Sequence, residues 1–406
     1  MKTINVKHWT SDKDIKILFS ILKQKNEESR FIGGCVRDLL IKKKDADIDM
    51  ATTIVPNKVL ELLKKNNIKT LTSGISHGTV IALINKRKFE ITTLRKDIKT
   101  DGRHAVVEFT KDWIIDSKRR DFTINAISCD FKGNLYDYHN GIGDLKKGKI
   151  NFIGDTKKRI KEDYLRILRF FRFYAYYGKQ NLNRIDLQFC KDYSFLLKKL
   201  SSERIYLEFK KILESDYSYK TLNLMKKNNI LKYIIFSNVD LSKIENLEKI
   251  DKNKKYVNFH LKFSSILSDN TKSLNKTVKF LKLPNIEVKK INKIFLYKKN
   301  FVLGKTKKNI LKSLYLLGKD LFIDLVILEC IKKRRNSASL KKYLNTIDLV
   351  KKLRLPKFPI EGKDVLNSGV IPGPLVGKIL QQVEKWWIEN EFKPNKKECI
   401  NKIKNL

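Results

Sequence analysis

Nowhere in the chain does an apolar run approach the length of about 20 residues that a membrane-spanning helix needs, so no span is expected. The N-terminal stretch through Asp14 has no apolar segment of the kind a secretory signal carries. Five cysteines (Cys35, Cys129, Cys190, Cys330 and Cys399) are scattered, odd in number and form no Cys-x-x-Cys pair. That spacing argues against structural zinc and a disulfide framework, and for reduced thiols in a cytoplasmic setting. There is no Gly/Ser linker and no fixed-period repeat. Acidic residues are scarce, with Asp and Glu numbering 44 against 87 Lys and Arg, a formal net charge of +43. Such an imbalance suits a polyanionic partner, because clustered cations release counterions from a phosphate backbone. A general enrichment in Lys, Asn and Ile accounts for part of the excess as solvated surface.

At 406 residues and 42% hydrophobic content, the chain can bury two or more cores. Residues 12–26 carry a helical period, and residues 56–66 place Pro56 at a helix start. Residues 69–95 read as strands and turns, with 77–84 a central strand and 88–94 a second one rich in β-branched residues. Asp101-Gly102 marks a mobile turn, residues 106–109 a short strand, and 126–130 with 134–137 a strand pair around Lys132-Gly133. From Thr156 onward the patterns are helical, with few glycines and no strand run. The expected class is therefore α+β.

The densest chemistry lies in residues 31–52. Gly33-Gly34 after an apolar strand lets backbone approach a phosphate. Arg37, if it lies early in a following helix, is placed to meet a triphosphate. Asp47 and Asp49 alternate with Ile48 and Met50, which on a strand sets both carboxylates on one face for hard divalent metals. Each piece alone reads equally as a turn with surface carboxylates. In this order, Gly-Gly-x-Val-Arg-Asp-x-Leu followed by Asp-x-Asp-x-Ala-Thr resembles the DNA polymerase β-like nucleotidyltransferases. More narrowly, it resembles the bacterial class II tRNA nucleotidyltransferase (CCA-adding) and poly(A) polymerase family.

Other segments carry the same resemblance. Glu90 and Arg95 follow His77-Gly78-Thr79 as in the family's head, which implies a carboxylate triad of Asp47, Asp49 and Glu90. By spacing alone Glu90 is a solvated residue of an alternating strand. Arg119-Arg120-Asp121-Phe122-Thr123-Ile124-Asn125 is specific to the family and implies that Arg120 binds nucleotide phosphates while Asp121 and Asn125 support the site. Residues 137–145, ending Gly-x-x-Asp-Leu, match the head-closing segment. In Glu162-Asp163-Tyr164-Leu165-Arg166, Glu162 and Arg166 can pair at four apart, and Asp163 and Arg166 share a face if one helix carries both. Such a pair suits cytosine and adenine: Arg donates to the ring nitrogen and Asp accepts from the exocyclic amine. Uracil and guanine present the opposite polarity. A surface salt bridge is the plainer reading, and the match to Glu-Asp-x-x-Arg favours base selection. Arg169 and Arg172, by the same resemblance, reach phosphates. Phe170, Phe171, Phe173, Tyr174, Tyr176 and Tyr177 read mostly as packing, as does Trp386-Trp387. Ser202-Glu203-Arg204-Ile205 with Glu208 matches a helix start that braces the neck.

The resemblance is dense over about residues 28–215 and thin beyond, apart from 362–380. It implies a polymerase β-like head (1–150), a helical neck that reads the base (151–215), and a helical body and tail that bind tRNA (216–406). It also implies CCA addition to the acceptor arm of tRNA from CTP and ATP with Mg²⁺. In that reading Gly34, Arg37, Arg120, Asp121, Asn125, Glu162, Asp163, Arg166, Arg169 and Arg172 form the nucleotide site. Poly(A) polymerase, CC-only or A-only addition, and a non-enzymatic RNA-binding protein with a decayed head stay open. The intact carboxylates speak against the last. The loop at 96–103 speaks against CC-only addition.

Overall fold

The computed structural model describes residues 2–43, 47–101, 104–179, 182–251, 256–267, 270–304, 306–332 and 337–406. Lys44 of the lysine-rich turn and Gly102 and Arg103 at the tip of the expected loop lie outside them. The chain forms two compact units, residues 1–237 with 275–282, and residues 238–274 with 283–406.

The first unit is built on a seven-stranded sheet in the order β3-β4-β5-β2-β1-β8-β9. Its strands are β1 (Ser29–Ile32), β2 (Asp49–Thr52), β3 (Lys69–Gly74), β4 (Thr79–Ile84), β5 (Arg87–Thr93), β8 (Ser128–Cys129) and β9 (Leu135–Tyr136). A separate hairpin pairs β6 (Arg95–Asp101) with β7 (His104–Phe109). All of the expected strands are present. The middle of the sheet is β2, however, with β4 one strand from the edge. Periodicity cannot give lateral order, which is set by the β2-to-β5 crossover, a parallel pairing.

One sheet face is covered by α1 (Lys7–Thr10), α2 (Lys13–Ile21), α3 (Gly34–Leu40) and α4 (Pro56–Lys65). The helix expected within 12–26 is α2, whose N-cap Asp12 accepts from the amides of Asp14 and Ile15, satisfying otherwise orphaned donors. Phe31, Met50, Val80, Phe89 and Ile91 pack with Leu18, Val36, Val59 and Leu63 from these helices. Alternation along the strands sends the neighbours of these residues to the other face, where Ile32, Ala51, Leu94 and Trp113 cluster. Asp49 and Glu90 share that second face, because Asp49 is in register with Glu90 and Met50 with Ile91.

Helices follow: α5 (Trp113–Lys118), α6 (Gly141–Lys147), α7 (Thr156–Glu162), α8 (Leu165–Tyr177), α9 (Arg184–Tyr193), α10 (Ser202–Glu214) and α11 (Ser218–Lys227). Helix α8 buries Leu168, Phe170, Phe171, Phe173 and Ala175. Phe170 stacks on Phe152 at 5.8 Å, and Phe122 meets both Phe152 and Phe173. This aromatic core welds α8 to the sheet-bearing part and bears out the packing reading. Helix α10 begins at Ser202 as expected, although no side chain caps it.

The second unit is helical, with helices at Ser242–Ile250, Phe259–Ile266, Asn285–Tyr297, Lys307–Leu317, Lys319–Lys332, Ser337–Lys352, Gly362–Leu366, Pro374–Glu389 and Lys396–Lys404 among its described residues. Near its C-terminal end Trp387 is buried with Val365, Val383, Ile388, Cys399 and Ile403. No helix among the described residues is long and apolar enough to cross a membrane. All five cysteines are buried.

Candidate active site

A cleft of about 890 Å³ lies within the first unit. Gly33, Gly34 and Arg37 line it from the β1–α3 turn, Asp49 and Glu90 from the sheet, and Arg120, Asp121 and Asn125 from the segment after α5. Asp163, Arg166, Arg169 and Arg172 line it from the helical side. The expected nucleotide residues are thus gathered there, apart from Glu162, which stands behind Arg166.

The turn after β1 depends on glycine. Gly33 holds φ +71°, and a Cβ there would sit 3.5 Å from the Arg120 guanidinium. Its neighbour Gly34 opens α3 with room for a side chain, so the conformational demand falls on Gly33. Arg37 lies in the body of that short helix and is 7% exposed. It donates to Asp38 at 2.9 Å and to Asn125 Oδ1 at 2.5 Å, and stacks over the Tyr177 ring at 4.3 Å. Much of its donor capacity is used inside the protein, which makes it a brace of the cleft wall.

Asp47 lies before β2 and is exposed, so the two carboxylates do not share one strand as expected; only Asp49 is in it. Burial, then the nearby Glu90 and Asp47 carboxylates, push the Asp49 carboxyl up to about 6 against the pull of Arg120. Among the described residues no three acidic, histidine or cysteine side chains converge into a ready-made ion cage. A partly buried carboxylate crowded by two others has the charge excess that a divalent cation relieves, so the donor set fits a metal.

Across the cleft, arginines are held by carboxylates. Asp116 accepts from Arg119 at 2.7 Å and from Arg120 at 3.3 Å. Arg120 Nε is buried and has no hydrogen-bond partner among the described residues. Asp121 accepts from Phe122 N, Asn125 Nδ2 and Arg169, the last at 2.6 Å to Nε. Arg172 lies 3.0 Å from Glu208, and Arg169 3.8 Å from it. Arg159 bridges to Glu162 and donates to the carbonyls of Arg119 and Arg120.

The expected Glu162–Arg166 pair is present at 2.5 Å. The shared helical face for Asp163 and Arg166 is not. Helix α7 ends at Glu162, and Asp163 is extended at φ −155°, ψ 107°. Its Oδ1 accepts from Leu165 N at 3.0 Å, opening α8, and its Oδ2 accepts from Arg204 at 2.7 Å. An Asp favours such local backbone bonding over helix continuation. Both side chains nevertheless line the cleft. Sequence reading missed Asp116, Arg159 and the grip of Arg204 and Glu208. The i,i+3 and i,i+4 spacings of Asp116 with Arg119 and Arg120, and of Arg159 with Glu162, were the available signal.

A sheet with adjacent carboxylates on parallel strands, facing a cationic cleft, defines the nucleotidyltransferase heads of the polymerase type. A poly(A) polymerase head-domain model matches residues 29–151. A model described as the probable RNA and SrmB-binding site of polymerase A matches 187–237, and a tRNA nucleotidyltransferase domain 2 model matches 254–403. The mouse (Mus musculus) mitochondrial CCA tRNA nucleotidyltransferase 1 is 35% identical over 405 residues, covering 96% of this chain and 89% of that protein. The Lactococcus lactis CCA-adding enzyme is 32% identical over 392 residues, covering 93% and 94%. A solved Bacillus stearothermophilus CCA-adding enzyme in complex with CTP shares the fold with TM-score 0.74 at 23% identity, over 96% of this chain and 95% of that one. The chain belongs to the CCA tRNA nucleotidyltransferase family, a family of metal-dependent polymerases.

Proposed function

We infer that the protein adds C, C and A in turn to tRNA 3′ ends, using CTP and ATP without a nucleic-acid template and releasing pyrophosphate. The observation that carries this is likeness to CCA-adding relatives along nearly the whole chain, joined to a cleft lined by Asp49, Glu90, Asp163 and Arg166 together. Asp47 and Asp49 would hold Mg²⁺, which supplies charge to neutralise the triphosphate and to activate the attacking hydroxyl. Glu90, beside Asp49, takes part in preparing the 3′-hydroxyl. Gly34, Arg120, Arg169 and Arg172 bind the triphosphate. Arg37, Asp121 and Asn125 keep that wall in shape. Arg166, anchored through Glu162, donates to the ring nitrogen of C or A, and Asp163 accepts from the amine.

The head spans residues 1–150, the neck 151–215, and the lysine-rich helical remainder holds the acceptor arm by its backbone. Five scattered cysteines with no Cys-x-x-Cys pair fit a cytoplasmic setting.

The test uses purified protein and tRNA transcripts ending before the first C, after one C and after two. Each labelled nucleotide is supplied separately, and products are read at single-base resolution. C on the first two, A on the third and nothing from UTP or GTP is the expected pattern. Long A tails would identify a poly(A) polymerase, and no A on the transcript ending in two C a CC-only enzyme.

A further inference from the structure

The two side chains given the base-reading role are held differently. Arg166 uses Nη1 for Glu162 and for the carbonyl of Arg159, and its other nitrogens have no hydrogen-bond partner among the described residues. Asp163 is held at both oxygens, Oδ1 by Leu165 N and Oδ2 by Arg204 Nη2. The second hold comes from a distant element, because Arg204 sits in the first turn of α10 and itself lines the cleft. The Asp163 side chain is 15% exposed and that of Arg204 24%, so the pair is largely shielded from water while still meeting the cleft.

The carboxylate torsion of an aspartate is soft. One bond, from Leu165 N, leaves the carboxylate free to swing about it. The second bond fixes its plane. A carboxylate oxygen has lone pairs to spare, so Asp163 can keep Arg204 and still accept from an amine. Acceptance of CTP needs only an acceptor within reach. Rejection of UTP needs more, since the carboxylate must stay opposed to the O4 oxygen and not turn aside. Rigidity therefore matters more for excluding the wrong base than for binding the right one.

We propose that Arg204 is a positioning residue for nucleotide selection, locking the Asp163 carboxylate so that nucleotides with a carbonyl oxygen in place of the amine are excluded. This rests on the base-reading role given to Asp163 above. The experiment measures kcat and KM for CTP and UTP on tRNA lacking its end, with melting temperatures alongside. The variants are Arg204→Ala, Arg204→Lys, Asp163→Ala and the double variant Asp163→Ala/Arg204→Ala. Arg204→Ala should lower the CTP-over-UTP ratio of kcat/KM about tenfold, mostly through gained UTP use. Arg204→Lys, with one donor restored, should recover part of it. In the Asp163→Ala background, loss of Arg204 should not change the ratio further.

If Arg204→Ala does not fold, the ratio is read from Arg204→Lys and Arg204→Gln, which should fall between wild type and Asp163→Ala. An unchanged ratio in the folded Arg204 variants, with or without lower melting temperature, overturns the proposal while leaving Asp163 as base reader. An equal fall with Asp163 already absent also overturns it. An unchanged ratio in Asp163→Ala itself removes the base-reading role and this proposal together.

Discussion

Replacing Asp121 by Asn tests the logic of the cleft directly, because one buried carboxylate joins its two walls. Asp121 accepts from the segment that follows α5 (Phe122 N and Asn125 Nδ2) and from Arg169 of α8 through Nε and Nη2. Asparagine keeps the shape and one oxygen but removes the charge, leaving Glu208 at 3.8 Å as the ion pair of Arg169 among the described residues. Breaking a fully buried pair from one side costs about 3–5 kcal/mol. The Arg169 side chain keeps 31% exposure, so water recovers part of that, and about 2–3 kcal/mol is expected. For a unit of this size each kcal/mol lowers the melting temperature by about 2–4 °C.

The pH dependence has a definite sign. Burial alone would raise the Asp121 carboxyl, but Arg169, Asn125 and the Phe122 amide outweigh it and hold it below the ordinary 3.8. A carboxyl depressed in the folded state stabilises above its unfolded value and loses that contribution as pH falls through the folded value. The deficit of Asp121→Asn should therefore be full at neutral pH and shrink below about pH 4. Melting curves from neutral pH into that range, with KM for CTP measured at neutral pH, make the assay. KM should rise as Arg169 loses its anchor. A deficit equally large at acid and neutral pH would refute the charge argument, and an unchanged melting temperature would refute the buried pair.

Asp47→Ala and Asp49→Ala should each abolish transfer while tRNA affinity, measured by filter binding, stays within about twofold, since lysines supply most of that affinity. Shortening residues 97–103 of the β6–β7 hairpin should leave CC addition intact and impair the final A; full A addition would end any role for it in switching. Asp163→Ala should cost about 1–3 kcal/mol of CTP-over-UTP discrimination and lower the melting temperature through loss of its bonds to Leu165 N and Arg204, and Arg166→Ala should cost more in kcat/KM. Raising salt from 50 to 200 mM should weaken tRNA binding by about tenfold or more and change KM for CTP far less.

The sheet was legible because its strands announce themselves by alternation: Val80, Ala82, Phe89 and Ile91 mark the buried face of β4 and β5. The lateral order was not, because a parallel pairing such as Asp49 with Glu90 leaves no local trace in either strand. The site residues were visible as words, chiefly Gly33-Gly34, Asp47 to Asp49 and the Arg119 to Asn125 segment. Their partners were harder to see. The bonds from Arg204 to Asp163 and from Tyr177 to Asp38 join residues 41 and 139 positions apart, and no periodicity reaches that far. The three-residue spacing of Asp163 and Arg166 suits one continuous helix, whereas α7 ends at Glu162 and the Asp163 side chain bonds to the Leu165 amide at the start of α8.

The partners explain how so many guanidinium groups coexist in one cleft. Unopposed, Arg37, Arg119, Arg120, Arg166, Arg169 and Arg172 would repel one another where screening is weak. Each instead has a carboxylate behind it: Asp38, Asp116 for the adjacent pair, Glu162, Asp121 and Glu208. These contacts fix the arginines before any nucleotide arrives, so a triphosphate meets donors that need little rearrangement. The same arrangement separates two electrostatic tasks. The excess charge of the chain is long-range and lysine-rich, suited to an extended phosphate backbone at any sequence. The cleft arginines are locally balanced and geometrically fixed, suited to one triphosphate and one base edge. Selection without a template requires the second property, because discrimination between amine and carbonyl depends on donors and acceptors that cannot turn to accommodate either.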